Sequence, residues 1–90
     1  MTVRWARRAQ SDLAGIFAYI TADNEKAAGR VVDRLYAAGQ SLAQFPQRGR
    51  PARLAGRREL VVDRYVITYR VRRDEVLILA IEHGSQRKES

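Results

Sequence analysis

Cysteine is absent from the 90 residues. Neither a disulfide nor a thiolate metal site can therefore supplement a small core, and stability must come from packing. With a single histidine, no protein-built metal centre and no cofactor are expected. The six glycines (Gly15, Gly29, Gly39, Gly49, Gly56 and Gly84) are dispersed. They match neither the phosphate-cradling nor the dinucleotide pattern, which removes ATP use of those kinds. The serines, Ser11, Ser41, Ser85 and Ser90, carry no nucleophile signature. No apolar run approaches the ~18 to 20 residues that span a bilayer, and the N-terminal MTVRWARR meets charge where a secretory signal runs apolar. A cytoplasmic chain with no membrane partner is the expectation.

What is present is positive charge, and it is local. The net charge is +7, from 17 basic and 10 acidic residues. Residues 46–58, PQRGRPARLAGRR, hold five arginines and no acid, so the other 77 residues carry 12 basic and 10 acidic groups, or only +2. Fifteen of the basic residues are arginine, whose planar fork takes carboxylate or phosphate in bidentate fashion where lysine offers a point charge. Such a patch predicts an acidic partner and leaves nucleic acid, anionic lipid and acidic protein all open. The hydrophobic fraction of 46% is too high for disorder. A chain this short closes one core, burying roughly 60 to 65% of its unfolded surface, so residues 1–90 read as one domain.

The periodicity changes along the chain. Val3 and Trp5 alternate with Thr2 and Arg4 as in a short first strand. From Arg7 to Ala22 the apolar residues Ala9, Leu13, Ile16, Phe17 and Ile20 share one helical face. After the break at Asp23-Asn24, Asn24 is placed to cap a second helix starting near Glu25. That helix carries Ala28, Val31, Val32, Leu35 and Leu42 on one face and stops before Pro46. Beyond the arginine stretch the period becomes two. Leu60 and Val62 form one strand face, and Tyr65, Ile67, Tyr69 and Val71 form a face of the next, opposite Val66, Thr68, Arg70 and Arg72. Arg73-Asp74 makes a tight turn. Leu77, Leu79 and Ile81 then alternate with Val76, Ile78, Ala80 and Glu82 in a strand apolar on both faces, hence central, which ends at His83-Gly84. Strand, helix, helix, strand, strand, strand predicts an α+β fold: a helical hairpin packed on one face of a mainly antiparallel sheet, the other face partly open.

Several residues carry two readings. His83, ending the central strand beside Glu82, is an imidazole suited to acid–base work near neutral pH or, more simply, a strand-end group bonding the backbone. Glu59 is either a carboxylate base or the ion-pair partner of a neighbouring arginine. Arg70 and Arg72 share the face of Thr68 and either clamp phosphates or form a solvated strand face. Tyr65, Tyr69 and Trp5 are expected in the core.

The segments Val3-Arg4-Trp5, Ala9, Asp12-Leu13, Ile16, Tyr19-Ile20, Ala27-Ala28, Leu42, Phe45-Pro46, Gly49-Arg50, Arg58-Glu59-Leu60, Tyr65, Tyr69-Arg70-Val71, Val76-Leu77-Ile78-Leu79 and His83-Gly84 together resemble the ParE branch of the ParE/RelE toxins. The resemblance covers nearly the whole chain. Its most specific part is Phe-Pro-x-x-Gly-Arg followed by Arg-Glu-Leu and Tyr-Arg-Val. It implies a toxin component of a type II toxin–antitoxin system (a plasmid stabilisation protein), whose ParD-like antitoxin wraps it with an acidic C-terminal segment. The arginines Arg48, Arg50, Arg53, Arg57, Arg58, Arg70 and Arg72 are then partner-binding. RelE-like members cleave mRNA on the ribosome with an arginine directly after the first tyrosine of a Tyr-Arg-x-x-Tyr run; here that run is Tyr65-Val66-Ile67-Thr68-Tyr69. ParE-like members poison DNA gyrase by binding, without catalytic residues, and this branch fits better. The enzymatic alternative, an endoribonuclease, would draw on His83, Glu59 and Arg70. A third expectation, direct nucleic-acid binding, would lower log K against log salt with a slope of about −4 to −5 for five arginine–phosphate contacts.

Overall fold

Asn24 stands where the chain must restart a helix after a break, and its side chain does what the sequence predicts: the carboxamide oxygen accepts the Ala27 N–H at 3.1 Å. A computed structural model describes residues 1–86. The elements run β1 (Thr2–Trp5), α1 (Arg7–Thr21), α2 (Glu25–Ser41), β2 (Arg50–Pro51), β3 (Arg58–Val62), β4 (Tyr65–Arg72) and β5 (Glu75–His83), followed by a single 3₁₀ turn, Gly84–Gln86. The sheet order is β1-β5-β4-β3-β2. Only the β1–β5 pair is parallel; the other three are antiparallel. The two helices pack together on one face, α1 over β5 and α2 over β3, which is the α+β arrangement read from the sequence. The two-residue β2 inside the arginine stretch is an addition that the sequence pattern did not predict.

The core is Leu35 and Leu42 of α2 and its C-cap packed on Leu60, Ile67, Tyr69, Val76, Ile78 and Ile81 of the sheet, with Ala9 from α1. Leu13 and Ile16 pack against it, but Phe17 does not: it is 41% exposed. Its position on the flank of the stripe, 100° from Ile16 at ~3.6 residues per turn, turns it out of the layer between helix and sheet. Close approach fixes one glycine. A Cβ on Gly39 would lie 2.5 Å from two ring carbons of Trp5 and 2.8 Å from Ile78 Cδ1. That contact seats β1 against α2, where Trp5 also stacks on Tyr36 at 5.3 Å and donates from Nε1 to Gln40 Oε1 at 2.8 Å.

Strict alternation fails in β5. Thr68 lies opposite Ala80 and Tyr69 opposite Ile78, which leaves Leu79 without an opposite residue on β4. This bulge switches the phase, so that Val76, Ile78 and Ile81 enter the core together. The expected face of Leu77, Leu79 and Ile81 is therefore split, with Leu77 and Leu79 only half-buried. β5 is nonetheless central, between β1 and β4. Beyond the bulge β1 has already ended, and α1 takes over its role: Asp12 Oδ2 accepts the Ile81 N–H at 2.9 Å.

Candidate functional site

Tyr69 is fully buried, and its hydroxyl bridges two backbone groups of the arginine loop, donating to Pro46 O at 2.8 Å and accepting from Gly49 N at 2.9 Å. Gly49 must be glycine for this approach, because a Cβ there would sit 2.6 Å from Glu59 O and 2.7 Å from the tyrosine oxygen. The Phe-Pro-x-x-Gly segment is thus clamped from below by a residue twenty positions away. Sequence reading placed Tyr69 in the core but missed the hydroxyl's role. The only signal was the co-occurrence of the glycine and the tyrosine.

The clamp sorts the five loop arginines. Arg58, half-buried, donates from Nε to Gly49 O at 3.0 Å and from Nη2 to Gln47 O at 3.4 Å, so it holds the loop. Arg48 donates from Nη1 to Ser41 Oγ at 2.9 Å and ties the loop to the end of α2. Arg50, on β2, lies opposite Glu59 and pairs with its Oε1 at 3.5 Å. Arg53 and Arg57 are exposed. A turn made by Ala52 N to Arg57 O (2.8 Å) and Arg57 N to Leu54 O (3.2 Å), with Gly56 at φ +81°, carries Arg57 to a depression that it shares with Arg70 and Arg72. The seven arginines therefore divide into loop-holding groups and outward-facing ones.

Register separates the remaining candidates. Arg58, Leu60 and Val62 align with Tyr69, Ile67 and Tyr65 on the helical face, while Glu59 and Val61 align with Thr68 and Val66 on the other. His83 lies opposite Tyr65 and meets its ring edge-on at 5.3 Å. It is on the helical face, in a cleft with Arg8, Asp12, Tyr19 and Glu82. Its Nδ1 is engaged locally, by Ser85 N at 3.1 Å and Ser85 Oγ at 2.6 Å. Glu59, only 6% exposed, and Arg70 occupy the opposite face, as does Val66, buried at 7%. The fold thus brings Arg57, Arg70 and Arg72 together and keeps His83 apart from Glu59 and Arg70. Among the described residues no cluster of three metal-ligating side chains forms, and no helix is long and apolar enough to cross a membrane.

The family model of the ParE toxin of type II toxin–antitoxin systems, parDE, matches residues 3–88. The chain belongs to the ParE toxin family. Its curated relatives include "Putative toxin Y4kP" of Sinorhizobium fredii, 45% identical over 86 residues that span 93% of this chain and 88% of that protein. Toxin RelE2 of Caulobacter vibrioides is 42% identical over 84 residues, 93% of this chain and 96% of the relative. Among solved structures, the chromosomal ParDE system of P. aeruginosa superposes with a TM-score of 0.83 at 27% identity, covering 92% of this chain and 95% of the other. The toxin–antitoxin complex RelBE2 of Mycobacterium tuberculosis gives 0.65 at 30%, covering 91% and 95%. This ParE-family chain is accordingly a type II toxin of the ParE/RelE group, with the two-helix, five-strand architecture of those neighbours.

Proposed function

We propose that this ParE-family toxin acts by binding, inhibiting DNA gyrase in the cytoplasm, and is neutralised by a ParD-like antitoxin whose acidic C-terminal segment occupies the arginine surface. The observation that carries the binding mechanism is the split of the acid–base groups across the sheet. A nuclease must set a base, an acid and a cation around one phosphate. Here His83 lies on the face opposite Glu59 and Arg70, and its Nδ1 is held by Ser85. The position that resembles the RelE arginine is Val66, buried and uncharged. Loss of one such group aimed at a transferring phosphoryl lowers turnover by about 10² to 10³. Both structural neighbours are toxin–antitoxin systems, which supports an antitoxin as partner.

Supercoiling by purified gyrase, titrated with the toxin, tests this reading, with DNA-damage signalling after induction as the cellular counterpart. Inhibition of supercoiling, relieved by co-expressed product of the neighbouring gene, is expected. Unaffected supercoiling, together with codon-phased mRNA cuts in primer extension, would replace it with ribosome-dependent RNA cleavage.

A further inference from the structure

Four arginines are matched by carboxylates: Arg4 by Glu75, Arg8 by Asp12 and Glu82, Arg34 by Asp63, and Arg50 by Glu59. Arg57, Arg70 and Arg72 have no such partner among the described residues. They line one depression of about 340 Å³, whose other walls are Leu54, Ala55, Gly56 and Val71, and no acidic residue borders it. The Nε of Arg70 is buried and makes no hydrogen bond. A buried donor without an acceptor is costly, and three cations gathered at one depression repel, even with Glu75 opposite Arg72 across β4 and β5. An anion that enters the depression relieves the repulsion. The turn that presents Arg57 is internally hydrogen-bonded and adjoins the β2–β3 pair, so little order has to be created on binding.

We propose that this depression is an oxyanion seat for one carboxylate side chain of the antitoxin's acidic segment, with Leu54 and Val71 packing on an apolar residue next to that carboxylate. The assignment rests on the antitoxin reading above and narrows it to three of the seven arginines. A protein ligand is favoured over nucleic acid by the walls. Leu54 is 59% exposed beside the guanidinium groups, the pairing of apolar and arginine surface typical of protein interfaces. A nucleic-acid backbone asks instead for a track of cations along repeating phosphates.

The Nε–Hε resonance of Arg70 in the ¹⁵N-labelled full-length toxin reads the seat directly. Probes are N-acetyl-Leu-Glu-amide, its Leu-Gln counterpart, inorganic phosphate and a DNA duplex. The Glu dipeptide is expected to shift the resonance saturably, and the Gln dipeptide to bind about tenfold or more weaker, the effect of one charge-assisted hydrogen bond. Arg57→Gln and Arg72→Gln, both at exposed positions, should each weaken the Glu dipeptide without altering the rest of the spectrum. A shift equal for Glu and Gln dipeptides, no saturable shift, or tighter engagement by phosphate or duplex than by the Glu dipeptide overturns the proposal. Gyrase inhibition without dipeptide binding sinks the seat alone; dipeptide binding without gyrase inhibition sinks the target alone.

Discussion

Tyr69→Phe removes one oxygen atom and, with it, the two hydrogen bonds that the tyrosine hydroxyl makes to the arginine loop. The ring stays in the core, so no cavity of consequence opens. Gly49 is buried, and its N–H, which reaches Tyr69 Oη at 2.9 Å, is left without an acceptor, a loss of about 1–3 kcal/mol. Pro46 is only half-buried and its carbonyl can take a water, so that bond adds about 0.5–1 kcal/mol. The variant should lose about 1.5–4 kcal/mol in urea unfolding. If the loss appears as loop opening, hydrogen exchange at the Gly49 amide accelerates by about tenfold or more. Tyr65→Phe is the control: that ring is half-buried and packs on His83, and the change should cost under ~0.5 kcal/mol. A Tyr69→Phe protein within about 0.5 kcal/mol of the parent, with Gly49 exchange unchanged, would refute the clamp.

Two further outcomes follow from contacts. Gly39→Ala introduces a methyl 2.5 Å from the Trp5 ring and should destabilise by about 1–3 kcal/mol despite the gain in helix propensity. Gly29→Ala in the same helix meets nothing within 4 Å and should stabilise by up to about 1 kcal/mol; thermal or urea unfolding of the pair checks both signs. Asp12→Ala leaves the Ile81 N–H without its acceptor and should lose about 1–2 kcal/mol, with faster exchange at that amide. An unprotected Ile81 amide in the parent protein would contradict it.

Much of the fold is legible along the chain because it rests on local periodicity. The stripe of Ala9, Leu13 and Ile16, the Asn24 cap, the alternation from Tyr65 to Val71 and the Arg73-Asp74 turn, where Arg73 takes φ +57°, each follow from neighbours a few residues apart. The bulge at Leu79 was not legible, since its apolar neighbours satisfy either phase and only pairing with β4 chooses between them. Phe17 was misplaced for a related reason: a stripe's centre can be read from spacing, but its width depends on what packs against it. In the candidate site, the clustered arginines were visible as composition. Their division between loop-holding Arg48 and Arg58 and the group of Arg57, Arg70 and Arg72 depends on which carbonyls and carboxylates come near, and those of the loop-holding pair are up to 11 residues away.

The sequence by itself determined the family, the helical hairpin followed by a sheet, and the location of the excess positive charge, because hydrophobic period and charge are properties of short stretches. The tertiary structure alone decided that Tyr69 and Gly49 hold the arginine loop in place. It alone set His83 on the helical face and Glu59 on the other, and left three guanidinium groups around one depression without a carboxylate. The physical reason is that register and strand pairing, which assign each side chain to a face, are settled by long-range contacts.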